Sequence, residues 1–253
     1  MSSRLEHTCW LPLFGLPLRM YTNSAALVEL LETQHPLGEW ANLNVVQVES
    51  GPTIEIEVVL GGHARCARGM QLFVHGPIML GGDGERVILT EVERGYALAC
   101  IATESLDAAL EVIWEMGMLL SQGRGRVAMQ AAALVSEDMV VCLIGNQINP
   151  LIQICTEHGL RLFSQRVVHI RYSDPIQIWG DGAGGDLLVS TGPVVVCLVE
   201  SGAGRASQIS NLPTSALEEL GIAAKAVRAA YWLRAGSDLE LTAALVEHVL
   251  MDA

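Results

Sequence analysis

The chain has 253 residues, 51% hydrophobic and 17% charged, with 28 acidic against 15 basic side chains and a formal net charge of −13. Nucleic acids are held mainly by Lys and Arg displacing counterions, so one lysine, Lys225, and scattered arginines argue against DNA or RNA as a partner. A charged share below the usual ~25% leaves a surface that a partner or a second copy would complete, or else reflects a large Ala- and Val-rich core.

The apolar run at 9–18, "CWLPLFGLPL", is broken by Pro12 and Pro17 and lacks the basic flank of a secretory signal. No segment reaches the ~20 apolar residues that span a bilayer. Residues 24–32, "SAALVELLE", have an N-cap serine and the spacing of a short helix. "IEIEVVL" (54–60) alternates apolar and acidic residues, as a half-exposed strand does. "MQLFV" (70–74), "RVILTEV" (86–92) and "GYALACIA" (95–102) continue as strands, with glycine turns at 61–62 and 81–84. In 105–120 the period changes, and Leu106, Ala109, Leu110, Ile113, Gly117 and Leu120 fall on one helical face. "SQGRGR" (121–126) ends that helix and reads as a linker.

After the linker, "VAMQAAALV" (127–135) reads as a strand, followed by a Glu-Asp turn at 137–138 and a strand at 139–144. "RLFSQRVVHIRY" (161–172) and "PVVVCLVE" (193–200) are further strand candidates, and the C-terminal part reads as helical. Ser215-x-x-Glu218 and Ser237-x-x-Glu240 match capping boxes, and Gly221 and Gly236 sit at expected helix ends. The expected domains are 1–125, a β-rich α+β region ending in a helix, and 126–253, an α/β domain. Cys100, Cys142 and Cys197 lie inside strand-like runs and read as small buried hydrophobes, so a reducing cytoplasm is expected.

The stretch "CLIGNQINPLIQICTEHG" (142–159) poses the functional question. An apolar strand enters a glycine and then a helix, as a phosphate-binding loop begins. A working loop also needs glycines to wrap the phosphates, a lysine to neutralise them and a Ser or Thr for magnesium. Gly145 is followed instead by Asn146, Gln147, Ile148, Asn149 and Pro150. Asn is a strong N-cap and Pro suits the first helical position, so a self-capped helix starting at Pro150 is expected. An unorthodox nucleotide site and a plain strand–turn–helix both remain open at this point.

"MQAAALV", "VVCLIG", "HGLRLFS" and "QRVVHI", together with "LFGLPLRM" and "ERGYALACIA" upstream, resemble the HPr kinase/phosphorylase-like proteins from about residue 11 to 250. That group includes standalone kinase-like proteins encoded with peptide-modifying enzymes. The resemblance implies an α/β fold with a P-loop-type core sheet and helices. It also marks departures. The family loop ends in Gly-Lys-Ser or Gly-Lys-Thr and is longer by about three residues. Acidic residues that act on magnesium and the substrate hydroxyl are replaced here by Gln165 and Arg166, and a histidine before the Ala triplet is replaced by Gln130. Phosphoryl transfer rests almost wholly on positioning and charge neutralisation, and three parts of one site are lost together.

The expectation is a catalytically silent, pseudokinase-like protein that binds or scaffolds a protein or peptide partner in a peptide-modification or related multi-protein pathway. It would self-associate or enter a hetero-complex, with no nucleic acid, membrane span, cofactor or metal. The expected binding rim is Gly145, Asn146, Gln147 and Asn149 with Ser164, Gln165 and Arg166 nearby, because strand ends converge on the loop in this fold type. An ATP-dependent serine kinase with a rebuilt site, and a small-ligand module in the old cleft, are the alternatives. "VESGAGRAS" (199–207) could cradle an anion through Arg205 and the amides near Gly202 and Gly204, but Glu200 argues for a simple turn. His63-x-x-Cys66 has metal-site spacing without a second pair. Asp174, Asp181 and Asp186 lie in a polar stretch that reads as a solvated loop, and His158 sits at a helix end where its charge is favourable.

Overall fold

The computed structural model describes residues 5–11, 13–34, 51–61, 71–136, 139–146, 148–181, 188–202 and 206–252. Among them the protein is mixed α/β, with three sheets and five helices. The chain divides into two compact units, Met1–Arg126 and Val127–Ala253.

The first unit holds one seven-stranded sheet, ordered β1-β2-β3-β7-β6-β5-β4. Its strands are β1 (His7–Leu11), β2 (Leu18–Thr22), β3 (Ile54–Leu60), β4 (Gln71–His75), β5 (Ile78–Gly82), β6 (Arg86–Glu91) and β7 (Tyr96–Ile101). Ile54, Ile56, Val58 and Leu60 are buried, while Glu55 is exposed and Glu57 half-buried, so the alternation read from the sequence is the alternation of one covered face. Helices α1 (Ala25–Gln34) and α2 (Leu106–Gln122) complete the unit. Ser24 Oγ accepts from Leu27 N at 3.2 Å, as expected of an N-cap, and Ser105 does the same for Ala108 N at 3.3 Å. The buried stripe of α2 runs through Ala109, Val112, Ile113, Met116 and Leu120. Leu106 and Leu110, expected on that face, are half-buried, so the stripe is rotated from the expected one by part of a turn. A Cβ at Gly117 would strike the Leu13 side chain; the glycine lets the 3-10 turn Leu13–Gly15 lie against the helix.

The second unit has a six-stranded sheet, ordered β11-β9-β10-β15-β17-β16, and a four-stranded sheet, ordered β14-β13-β12-β8. The strands are β8 (Val127–Met129), β9 (Ala132–Ser136), β10 (Met139–Ile144), β11 (Arg161–Ser164), β12 (Val168–Arg171), β13 (Ile176–Trp179), β14 (Leu188–Thr191), β15 (Val194–Ser201), β16 (Gln208–Asn211) and β17 (Val227–Ala235). The helices are α3 (Asn149–Glu157), α4 (Thr214–Glu219) and α5 (Leu239–Asp252). β10, β15 and β17 run parallel at the centre. Each face of the larger sheet has its own core. On one face Cys142, Phe163 and Val196 pack with Val168, Ile170 and Ile178 of the smaller sheet and Leu217 of α4. On the other, Val141, Leu143, Val195 and Cys197 pack with Leu151 and Cys155 of α3 and with Val246 and Val249 of α5.

Several sequence expectations are corrected here. Residues 127–135 and 161–172 are not single strands: each breaks into two short strands that enter different sheets. Ser164 Oγ closes the second break by donating to Val167 O at 2.6 Å. The C-terminal part is not wholly helical, because β16 and β17 precede α5. Neither expected capping box forms. α4 begins at Thr214, so Ser215 lies inside it, behind an extended Pro213 with no side-chain cap bond. Asp238, one residue after Ser237, caps α5 by accepting from Leu241 N at 3.2 Å.

Candidate functional site

Of the residues expected at the rim, the described ones lie after β10 and around the end of β11, at one end of the six-stranded sheet. β10 and β11 both run antiparallel to β9, which lies between them. Their C-terminal ends therefore point the same way, with Leu143 opposite Ala132 and Ser164 opposite Ala133. At the usual strand spacing the 145–148 loop and the 164–167 turn emerge about 10 Å apart.

Gly145 owes its identity to packing. A Cβ there would collide with the carbonyl of Val199 on the neighbouring β15, so glycine is required before any ligand is considered. Gly145 and Asn146 are exposed, and Gln147 lies outside the described residues. Asn149 does not cap α3. Ile148 already has helical φ/ψ of −79° and −11°, and its carbonyl accepts from Ile152 N at 2.9 Å. The helix thus starts one residue before the expected Pro150, Asn149 becomes its first residue behind Ile148 at the cap position, and the Asn149 side chain is exposed. Pro150 removes an N–H from the first turn. From Met139 to Leu160 there is no Lys or Arg.

The second half of the rim is closed upon itself. The Ser164 hydroxyl is buried, donating to Val167 O and accepting from Asp181 N at 3.2 Å. Asp181 Oδ2 accepts from the backbone N–H groups of Gln165 and Arg166, at 2.9 and 3.0 Å. Asp181 is thus the residue that sequence reasoning placed in a solvated loop and the structure places at the site, holding the turn in shape. Gly180 makes this possible: a Cβ would sit 3.0 Å from the carbonyl oxygen of Phe163 and from Ser164 Cβ. The Gln165 and Arg166 residues themselves stay exposed. The structure therefore offers an amide at Asn146, another at Gln165 and one guanidinium at Arg166. These groups can hydrogen-bond a peptide backbone or pair with a carboxylate.

Below the rim, burial pushes the thiols of Cys142 and Cys197 up to about 12, so neither supplies a thiolate nucleophile. At the far end of α3, His158 bonds Glu247 through Nδ1 at 2.7 Å and Glu240 through Nε2 at 2.9 Å. These bonds, Glu247 first, hold the imidazole above its ordinary value and tie α3 to α5. Of the Gly-rich turn at 199–207, Gly202 N donates to Ala235 O at 2.7 Å, while Gly204 and Arg205 lie outside the described residues, as do His63 and Cys66. No group of three or more His, Cys, Asp or Glu among the described residues is placed to hold a metal ion. No helix among them is long and apolar enough to cross a membrane.

No family model matches the chain, and no curated protein matches it. Among solved structures, the Hpr(Ser) kinase/phosphatase from Coxiella burnetii is similar over 50% of this chain and 99% of that one, with 12% identity and a TM-score of 0.27. The likeness is slight, and the functional reading rests on the residues.

Proposed function

We propose that this protein is a catalytically silent, HPr-kinase-like binding or scaffold component, serving a peptide-modification pathway. Its second unit keeps a strand–loop–helix where a kinase would hold phosphates and uses the exposed rim to bind a protein or peptide partner. The observation that carries this reading is the absence of any Lys or Arg from Met139 to Leu160, across the whole of β10, its loop and α3. A triphosphate at that loop has no local counter-charge, and phosphoryl transfer depends on one. Asp181 adds support, because its Oδ2 is engaged by the Gln165 and Arg166 amides. What is left, two amides and an arginine on exposed backbone, suits neutral peptide groups and carboxylates.

The test is affinity capture with the tagged chain from its native cell, followed by mass spectrometry, repeated with Asn146→Ala and Arg166→Ala combined. Both residues are exposed, so melting should be unchanged to within about 0.5 kcal/mol. The expected result is a stoichiometric partner lost in the double variant. Retention of that partner at full yield refutes the proposed rim.

A further inference from the structure

The outermost strand of the seven-stranded sheet departs from the pattern of its neighbours. Every residue of β4 is exposed, and Leu72, Phe73 and Val74 are each 62% exposed. The other strand of the hairpin adds Ile78 and Leu80, both more than a third exposed. β4 pairs with β5 on one side and with no described strand on the other. Edge strands are ordinarily guarded by a charge, a proline or a bulge. β4 has none of these, and Pro77 is confined to the turn.

Charge decides what can cover such an edge. With a net charge of −13, two copies meeting on most faces bring carboxylates together. The hairpin from Gln71 to Gly82 contains no Asp, Glu, Lys or Arg, so that repulsion is locally absent. A basic peptide or an anionic surface finds no counter-charge there. A neutral, apolar strand edge does match, and the chain carries one.

We propose that β4 is a homodimer edge, in which the β4 strands of two copies pair antiparallel about a twofold axis at Phe73 and join two sheets into one. The register supports the pairing. His75 faces Ile78 across the two-residue turn Gly76-Pro77. Hydrogen-bonded and non-bonded pairs alternate along such a ladder, which turns the N–H and C=O of Leu72 and Val74 away from β5. An axis at Phe73 sets Leu72 opposite Val74 of the second copy, so these outward groups satisfy one another. Phe73 then meets Phe73 of the second copy at a non-bonded position, where side chains are closest, and Gln71 meets His75 at each end. The exposed apolar side chains of the hairpin offer on the order of 400 Å² per copy. A standard interface takes about 800 Å² per partner, so this dimer dissociates on dilution.

The experiment is sedimentation velocity of the full chain over a concentration series, with Phe73→Lys, Val74→Lys and Phe73→Cys alongside. The mass is expected to rise to that of a dimer with concentration. Each lysine variant should remain monomeric with an unchanged melting temperature, since both positions are exposed. Cβ atoms directly opposite across a non-bonded pair lie within disulfide reach, so Phe73→Cys should give a covalent dimer under mild oxidation that the wild type does not give. A wild type that stays monomeric overturns the proposal. So does a dimer that survives either lysine variant, or a Phe73→Cys chain that fails to crosslink. A monomer whose β4 instead captures a foreign strand, lost in Phe73→Lys, also overturns it. The inference concerns the first unit alone, so its failure leaves the reading of the rim in the second unit untouched.

Discussion

In the second unit, β10 and β15 bury every residue from Val140 to Leu143 and from Val194 to Cys197. In the first, β3 buries alternate residues and β4 buries none. β10, β15 and the middle of β4 look apolar as sequence, while β3 alternates with Glu55 and Glu57. What separates them is the number of faces covered: a helix layer and a second sheet enclose the larger sheet of the second unit, one side of β3 is covered, and β4 stands at an edge with no described strand beyond it. Apolar composition therefore records what a strand can bury, while the neighbours decide what it does bury.

Two phenylalanines break or sharpen that contrast most strongly. Phe163 on β11 is fully buried and Phe73 on β4 is exposed. Phe163→Ala should lower stability by about 3–5 kcal/mol in denaturant unfolding, whereas Phe73→Ala in dilute solution should change it by no more than about 0.5 kcal/mol. Comparable losses at both would mean that β4 is covered within a single chain. Gly145→Ala comes next. The new Cβ meets the backbone of Val199 rather than a flexible side chain, so the expected loss is about 1–3 kcal/mol by thermal unfolding, and an unchanged melt would show that the two strand ends are not in close contact.

A smaller effect is expected from His158. Its raised imidazole, held chiefly by Glu247 and then by Glu240, binds a proton more tightly in the folded chain than in the unfolded one. Its stabilising contribution is therefore fully present below the ordinary value of 6.5 and is lost as pH rises through the raised folded value. Melting temperatures taken across that window should fall for the wild type relative to His158→Gln; parallel curves would show that the two carboxylates do not hold the ring in solution. The smallest effect is at Asn149. With Ile148 at the cap position, Asn149→Ala should cost less than about 0.5 kcal/mol, against the 0.5–2 kcal/mol of a working cap. A loss in that higher range, read from denaturant unfolding, would restore the expected cap.

Much of this architecture is visible in local sequence, and the misses share a cause. The alternation in 54–60 and the strand–turn–helix at 139–157 are properties of neighbouring residues. β17, "VRAAYWLRA", carries alanines and arginines without a clear period of two, and only its pairing between β15 and β16 makes it a strand. The breaks near Gln130 and Gln165 separate strands by sheet, and a polar residue or two within a strand-like run carries no sign of that choice. At the rim, the missing lysine and the exposed amides are legible. The role of Asp181 is not, because it reaches the turn from fifteen and sixteen positions away through a close approach that only Gly180 permits. Asn149 misled for a different reason: the Asn-Pro signal is sound locally, but Ile148 enters helical geometry first.

The proposed lack of nucleotide binding at the loop after β10 is tested most directly by calorimetric titration of the full chain with ATP in magnesium buffer. The loop at 145–148, without a lysine or arginine nearby in sequence, should give no saturable heat. Saturable binding at micromolar ATP would contradict the proposed loss of nucleotide chemistry and would favour an active kinase with a rebuilt site.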